Sequence, residues 1–464
     1  MPAEIEPTTR PARSARSERP LWLEIEESFE VGVPGHQYSV GVVQLVLETI
    51  FTCCTGQRAA AAVLELFCHW LPGVDETPCP NTARLWSLRV GLYELTRAKE
   101  QAEDWVWIMD HTIQLGPYKC LVIVGVRLSV WNTDRRPLRY DDLVLLNLTP
   151  MEQATGERVH QALVETIAVT GLPRQVVSDG GTDLKRGMEL LHVDHPQVAH
   201  VHDIKHKMAL LLKKELEHNE RWKSFVARTN QTKIGIVQTA LASLAPPALK
   251  TKARYMNLDT LVEWGRDLLR YIDSAPNNPQ LPVDLAKLEE KCGWIREYRD
   301  ALHEWSELLS VAGVTEQYVR TQGYHTAAPS QLEVQLDSLA TTATAQRMSD
   351  AVLEIVREES AAANSPDERL LGSSEVLESL IGKYKQHQAT HNKGGMTGML
   401  LTFGTIISNK TQETIIKALE TVKTSHVGQW CRKHLGVTLQ AQRQKAFPRK
   451  KTRGQNTPEK RLQI

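Results

Sequence analysis

This sequence predicts an α/β fold: a mixed sheet interrupted by an all-helical insertion and preceded by a helical domain. Three observations carry that expectation. Three runs rich in valine, isoleucine and leucine lie close together between Trp105 and Thr149. Helix and strand patterns then alternate from Gly156 to Asp203, and no convincing strand pattern follows from Lys205 to Leu370.

The 464 residues allow two to four domains, and 41% hydrophobic with 24% charged residues is ordinary for a globular chain in water. The longest apolar runs, Cys120 to Val126 and Leu143 to Leu146, fall far short of the roughly 20 residues of a membrane helix, so no membrane partner is expected. The opening stretch, MPAEIEPTTRPARSARSERP, combines charge and proline without an apolar core. It predicts a disordered arm over residues 1–35 rather than a secretory signal. Seven scattered cysteines without a C-x-x-C pair predict reduced, intracellular thiols. The zero formal net charge favours no class of partner, but its distribution does. Beyond Ala441 the chain carries Arg443, Lys445, Arg449, Lys450, Lys451, Arg453, Lys460 and Arg461 against Glu459 alone. That composition predicts a flexible basic tail making sequence-independent phosphate contacts, with Arg449, Lys450 and Lys451 as its densest group.

Taken in order, residues 36–100 read as compact helices. Val42, Val43, Leu45, Val46 and Ile50 form an apolar stripe, QRAAAAVLELFCHW follows the break at Thr55-Gly56, and NTARLWSLRVGLYEL places Leu85, Leu88 and Leu92 on a buried face. Arg84 and Arg89 then point outward, which is the arrangement of a helix-turn-helix DNA reader and also of many plain three-helix units. The sheet comes next, over residues 101–215. WVWIMDHTIQ, KCLVIVGVRLSV and LVLLNLT predict a three-stranded meander. GERVHQALVETIAV is a helix leading into strand RQVVSD, and TDLKRGMELL is a helix leading into strand QVAHVHD, with right-handed crossovers. Residues 216–370 read as an all-helical insertion, too long for a loop and divided by Ala245-Pro246-Pro247 and Ala275-Pro276. Residues 371–405 return to the core through SSEVLESLIGKYK, opened by the capping serines Ser373 and Ser374. A last helical piece and the tail occupy 406–464.

The chemistry concentrates in carboxylates. Asp110 ends a hydrophobic strand on the face of Val106 and Ile108, an expensive position for a charge without a cation to hold. A lone strand-end aspartate is usually a turn residue. Asp179, however, ends a second apolar strand and precedes two glycines that let backbone approach a ligand. If the first and fourth strands are neighbours, the two aspartates stand side by side. They then repel and raise each other's pKa unless a divalent cation intervenes. Magnesium suits such an oxygen site, and two ions about 3.5–4 Å apart suit in-line attack on a phosphodiester. The helix SSEVLESLIGKYK supplies a third carboxylate, Glu378, with Glu375 one turn earlier as fallback. Lys383 and Lys385 lie beyond it, and Lys385 sits two turns on, towards DNA phosphate. Alone, either glutamate is explained as a solvent-facing residue near a helix N-terminus.

Asp110 in WIMDHTIQ, Asp179 in VVSDGGTDL and Glu378 in VLESLIGKYK, in that order, resemble the DDE triad of bacterial insertion-sequence transposases. The order of strands and helices is similar to an RNase H-like core. The long stretch before Glu378 is similar to the helical insertions of hAT-like transposases, and L-E-x₆-K at Leu377, Glu378 and Lys385 resembles the last motif of YREK transposases. Ser374 departs from that motif, where the family has arginine. The resemblance implies a DNA transposase that cleaves transposon ends and transfers strands using two Mg²⁺ (or Mn²⁺) ions held by Asp110, Asp179 and Glu378. It implies double-stranded DNA as partner, a homodimer or larger assembly, and a cytoplasmic, nucleoid-associated bacterial location. The same residues also serve an RNase H-like nuclease or resolvase that cuts without joining, or an inactive DNA-binding descendant.

The cluster His195, His200, His202, His206 and Asp203 invites a zinc reading, but its spacing mixes strand and helix and lacks nearby cysteine. The better expectation puts His202 or Asp203 beside the carboxylates, with Lys205 and Lys207 following towards phosphate. Trp222, Trp264, Trp294 and Trp305 are expected in the insertion's core rather than stacked on a flipped base. Ser178 with His111 lacks the G-x-S-x-G elbow of a hydrolase.

Overall fold

The computed structural model describes residues 29–68, 76–115, 118–134, 136–248, 255, 258–275, 284–390, 396–436 and 439–447. The chain divides into two compact units, Met1–Thr96 with Lys383–Ile464 and Arg97–Gly382. The expected arm over 1–35 lies mostly outside the described residues, as do Arg449, Lys450 and Lys451.

The first unit opens with α1 (Val40–Phe51), α2 (Gln57–Phe67) and α3 (Pro80–Thr96). Ser39 caps α1 by accepting from the Val42 amide.

In the second unit a meander comes first: β1 (Trp105–Leu115), β2 (Tyr118–Arg127), the short α4 (Leu128–Asp134) and β3 (Val144–Met151). The expected second strand ran on through Leu128 to Val130; in the structure those residues are helical. The cause is Asp104, whose carbonyl accepts the Leu128 amide at 2.8 Å and whose carboxylate accepts the Ser129 amide at 3.1 Å. These bonds satisfy the orphan N–H groups of a first helical turn and end the strand. Then follow α5 (Gly156–Thr170), β4 (Gln175–Ser178), α6 (Thr182–Asp194) and β5 (Ala199–His202). The five strands make one mixed sheet in the order β3-β2-β1-β4-β5. β1 is antiparallel to β2 and β2 to β3, whereas β1 is parallel to β4 and β4 to β5.

One face of the sheet is closed by α5 and α6. Trp105, Trp107, Met109, Leu121, Ile123 and Val176 pack there against Val159, Leu163, Leu184, Met188 and Leu191. Fully burying each such side chain is worth roughly 1.5–3 kcal/mol. Strand alternation therefore leaves Val106, Ile108 and Asp110 for the opposite face.

From β5 the chain runs through α7 (Ile204–Leu216), α8 (Glu220–Ile236), α9 (Asp259–Ser274), α10 (Leu285–Cys292), α11 (Arg299–Gln322), α12 (Ala328–Asp337) and α13 (Ala343–Ser360). Beyond β5 the pairing recorded is the isolated bridge between Tyr324 and Leu370. Helix α14 (Glu375–Ala389) follows, and the two units part within it.

The first unit resumes with α15 (Thr402–Ile407), α16 (Gln412–Thr421), α17 (Thr424–Leu435) and α18 (Leu439–Ala446). Here α3 is the central helix, with Ala83, Trp86 to Leu92 and Glu94 all buried. Its contact with α15 is so close that a Cβ on Gly91 would lie 1.8 Å from the Leu401 carbonyl oxygen. The sequence expected Arg89 to point outward, and the structure corrects this. Arg89 is only 8% exposed, and its guanidinium donates to the carbonyls of Leu419 and Val422 at the end of α16. Periodicity along α3 alone could not show that helices far later in sequence cover its second side. No helix among the described residues is long and apolar enough to cross a membrane.

Candidate active site

The site begins with register. Met109 on β1 stands beside Ser178 on β4, and Ser178 beside His202 on β5. The next residues, Asp110, Asp179 and Asp203, therefore lie in one row across three parallel-running strands. The sequence expected Asp110 to end its strand, but β1 continues past it to Leu115 in its pairing with β2, whereas Asp179 and Asp203 directly follow the last residues of β4 and β5. By alternation they share the face opposite the core of α5 and α6.

Each aspartate has different partners. Asp110 accepts the His111 amide at 2.6 Å. Asp179 accepts the Gly181 amide at 3.0 Å, and a Cβ at Gly181 would crowd that oxygen. The following helix is tied back to β1, because Asp183 meets His111 Nε2 at 3.0 Å and Lys119 Nζ at 3.3 Å. Asp203, 1% exposed, caps α7: its Oδ1 accepts from the His206 amide at 2.9 Å and from His206 Nδ1 at 3.0 Å. Its Oδ2 accepts from the amide and hydroxyl of Ser374, at 2.7 and 2.9 Å. Ser374, the residue that departs from the family motif, thus fastens the start of α14 to the end of β5.

Glu378 projects from the first turn of α14. Its side chain is 29% exposed, with Lys205 Nζ and His206 Nδ1 each at 3.8 Å. Glu375 is 43% exposed and turned to Arg320 Nε at 3.0 Å.

The electrostatics follow from burial and like charge. Burial, followed by repulsion from Asp179 and, more weakly, Glu378, pushes the Asp110 carboxyl up to about 7; the His111 amide and His206 oppose this. Glu378 is raised by burial and by Asp203, with Lys205 and His206 opposing. Burial also works to raise Asp203, but the bonds from His206 and Ser374 outweigh it and hold the carboxyl below its ordinary value. The bond to Asp203 raises His206.

Among the described residues, Asp203, His206 and Glu378 form a group whose ligand atoms lie within 4.8 Å of one another. Asp110 and Asp179 stand outside that group. Asp203, however, spends both oxygens on four hydrogen bonds inside the fold. Asp110 and Asp179 each accept one backbone amide, and Glu378 faces Lys205 and His206.

The other sequence candidates separate. Lys205 lies at the site, and Lys207 reaches Glu359 at 3.8 Å. Arg84 is exposed and bonded to Asn81, Lys383 is half-buried and Lys385 exposed, all three in the first unit. The histidines take different partners: His200 bonds Ser178 Oγ at 2.9 Å, His202 meets Glu359 at 3.2 Å with its ring 4.7 Å from that of His200, and His206 serves Asp203. Burial drives His200 down to about 3, so it is neutral. Trp222 and Trp305 are buried edge to face, 4.8 Å apart, with Phe225 against both. They pack the insertion, as expected.

Sequence reasoning missed Gln175 and Arg369, both buried polar side chains that hold the segment before α14. The available signal was a polar residue inside an apolar strand.

No family model matches this chain, and no curated protein matches it. Among solved structures it is similar to the Drosophila P element transposase strand transfer complex, with 11% sequence identity and a TM-score of 0.38, covering 83% of this chain and 93% of that one.

Proposed function

We propose that this protein is a DNA transposase with an RNase H-like core, in which Asp110, Asp179 and Glu378 hold divalent cations, Mg²⁺ or Mn²⁺, for phosphodiester cleavage and strand transfer. One observation carries the reading. Asp110 and Asp179 lie side by side on one face at adjacent parallel strands, and Glu378 comes from a helix beyond the insertion to 3.8 Å from His206, whose ring is bonded to Asp203 in the same row. A sheet ordered β3-β2-β1-β4-β5, joined by two antiparallel and two parallel pairings, supports the core assignment. Cations bound there supply Lewis acidity and neutralise charge developing on a phosphodiester. The protein's own groups do the rest. Asp110 and Asp179 fix one side of the site from rigid strands, Glu378 closes it, and Lys205 offers a cation for a DNA phosphate. The exposed Arg84 and Lys385, with Lys383, Lys207 and the tail group Arg449, Lys450 and Lys451, add contacts to double-stranded DNA. Paired ends call for a homodimer or larger assembly.

The test uses labelled duplexes from the DNA on either side of the coding sequence, incubated with the full chain and Mn²⁺. Asp110→Asn, Asp179→Asn and Glu378→Gln are each expected to cost at least about a hundredfold in cleavage while keeping DNA binding. Full activity in Asp110→Asn sinks the assignment. Cleaved ends that never join to target DNA favour a nuclease or resolvase instead.

A further inference from the structure

The segment that brings the chain back from the insertion to α14, residues 363–374, is fastened by side chains rather than by a strand ladder. Arg174 grips Glu368 through two bonds of 2.7 and 3.0 Å. The buried Gln175 amide serves both backbone groups of Leu371, donating to its carbonyl and accepting its N–H at 3.0 Å. Leu370 exchanges both backbone bonds with Tyr324, and the Gly372 carbonyl accepts the Ile204 amide at 2.9 Å. Ser374 closes the series on Asp203. Arg369 lies over Trp131, 4.6 Å from its ring centre, and donates to the carbonyls of Thr321 and Gln322.

Glu368 and Leu371 are held at Arg174 and Gln175, at the start of β4, and Gly372 and Ser374 at Ile204 and Asp203, just beyond the end of β5. Sliding the segment by one residue would move its attachment by about 3.3 Å, and each rung would then meet the wrong partner. Helix α14 starts immediately beyond, with the Glu378 amide bonded to the Ser374 carbonyl at 3.1 Å. The register of the segment therefore sets where Glu378 arrives. Positional error is costly, because a displacement of about 1 Å in a reacting constellation can cost on the order of a hundredfold.

We infer that Gln175 is a positioning residue: its amide, at the far end of β4 from Asp179, fixes the register of residues 363–374 and so the place of the Glu378 carboxylate. This rests on the reading of Asp110, Asp179 and Glu378 as cation ligands.

The experiment is Mn²⁺ titration of the full chain without DNA, by calorimetry, in the wild type, Asp110→Asn, Gln175→Leu and Leu163→Ala. Leu163 lies in the core on the other face and serves as a control for simple loss of stability. Asp110→Asn is expected to abolish site binding, Gln175→Leu to weaken it about tenfold, and Leu163→Ala to leave it unchanged. Wild-type affinity in Gln175→Leu, or equal weakening in Leu163→Ala, overturns the inference while the cation site stands. Identical titrations of wild type and Asp110→Asn overturn the cation site and this inference with it. Should Gln175→Leu not fold, Gln175→Glu takes its place, keeping the acceptor for the Leu371 N–H and losing the donor. Weakening of about threefold then supports the role, and wild-type affinity removes it.

Discussion

Asp110 and Asp203 flank Asp179 in one row across the sheet and carry opposite pH signatures. Asp110 has a folded-state pKa raised from 3.8 to about 7, so the fold binds its proton more tightly than the unfolded chain does. Its contribution to stability is present below about pH 4 and is lost as pH rises through 7, at most about 4 kcal/mol. Asp110→Asn should therefore raise the melting temperature of the metal-free protein at pH 8 and flatten its decline between pH 5 and 8. An unchanged profile would remove Asp110 as the source. Asp203 has a lowered pKa, so its contribution is present above its unfolded value and fades as pH falls below about 4. Asp203→Asn should cost about 2–4 kcal/mol in urea denaturation at pH 7, because four donors lose their charged acceptor. Asp179 was legible in sequence as a charge closing an apolar strand; Asp110 was legible as a charge on an apolar strand, but that strand runs on to Leu115 instead of ending there. That Asp203 is committed to Ser374 was not legible, since its partner lies across the whole insertion.

At the scale of elements, α3 shows where local pattern stops informing. Of the leucines expected on its buried side, Leu88 and Leu92 are buried and Leu85 half-buried, and the helices after Thr402 bury the other side and take Arg89 as the cap of α16. Arg89→Met should lower stability by about 2 kcal/mol while leaving the salt dependence of DNA affinity unchanged. A flattened salt slope would return Arg89 to the DNA surface. Lys385→Ala, by contrast, should weaken binding to all duplex sequences alike and reduce the salt slope by about one. Helix α4 teaches the same lesson at shorter range: apolar residues Leu128 to Val130 suit a strand, and Asp104, at the start of β1, makes them a helix.

For the molecule as a whole, the cation proposed for the carboxylates on β1, β4 and α14 would tie segments distant in sequence. Saturating Mn²⁺ should raise the melting temperature of the wild type by several degrees through ligand linkage and leave an Asp110→Asn, Asp179→Asn double variant unmoved. An equal rise in both would place the ion elsewhere. Sequence alone determined the strands, the alternation after Gly156, the helical insertion and the candidacy of Asp110, Asp179 and Glu378. These features are written in short-range periodicity and in the cost of charge beside apolar runs. Tertiary structure alone turned Glu378 toward His206 and Lys205 and Glu375 toward Arg320. It also decided the burial of Arg89 and the fastening of residues 363–374 by Gln175, Arg369 and Asp203. Those outcomes depend on partners dozens to hundreds of residues away, and no local pattern carries the geometry of so distant a contact.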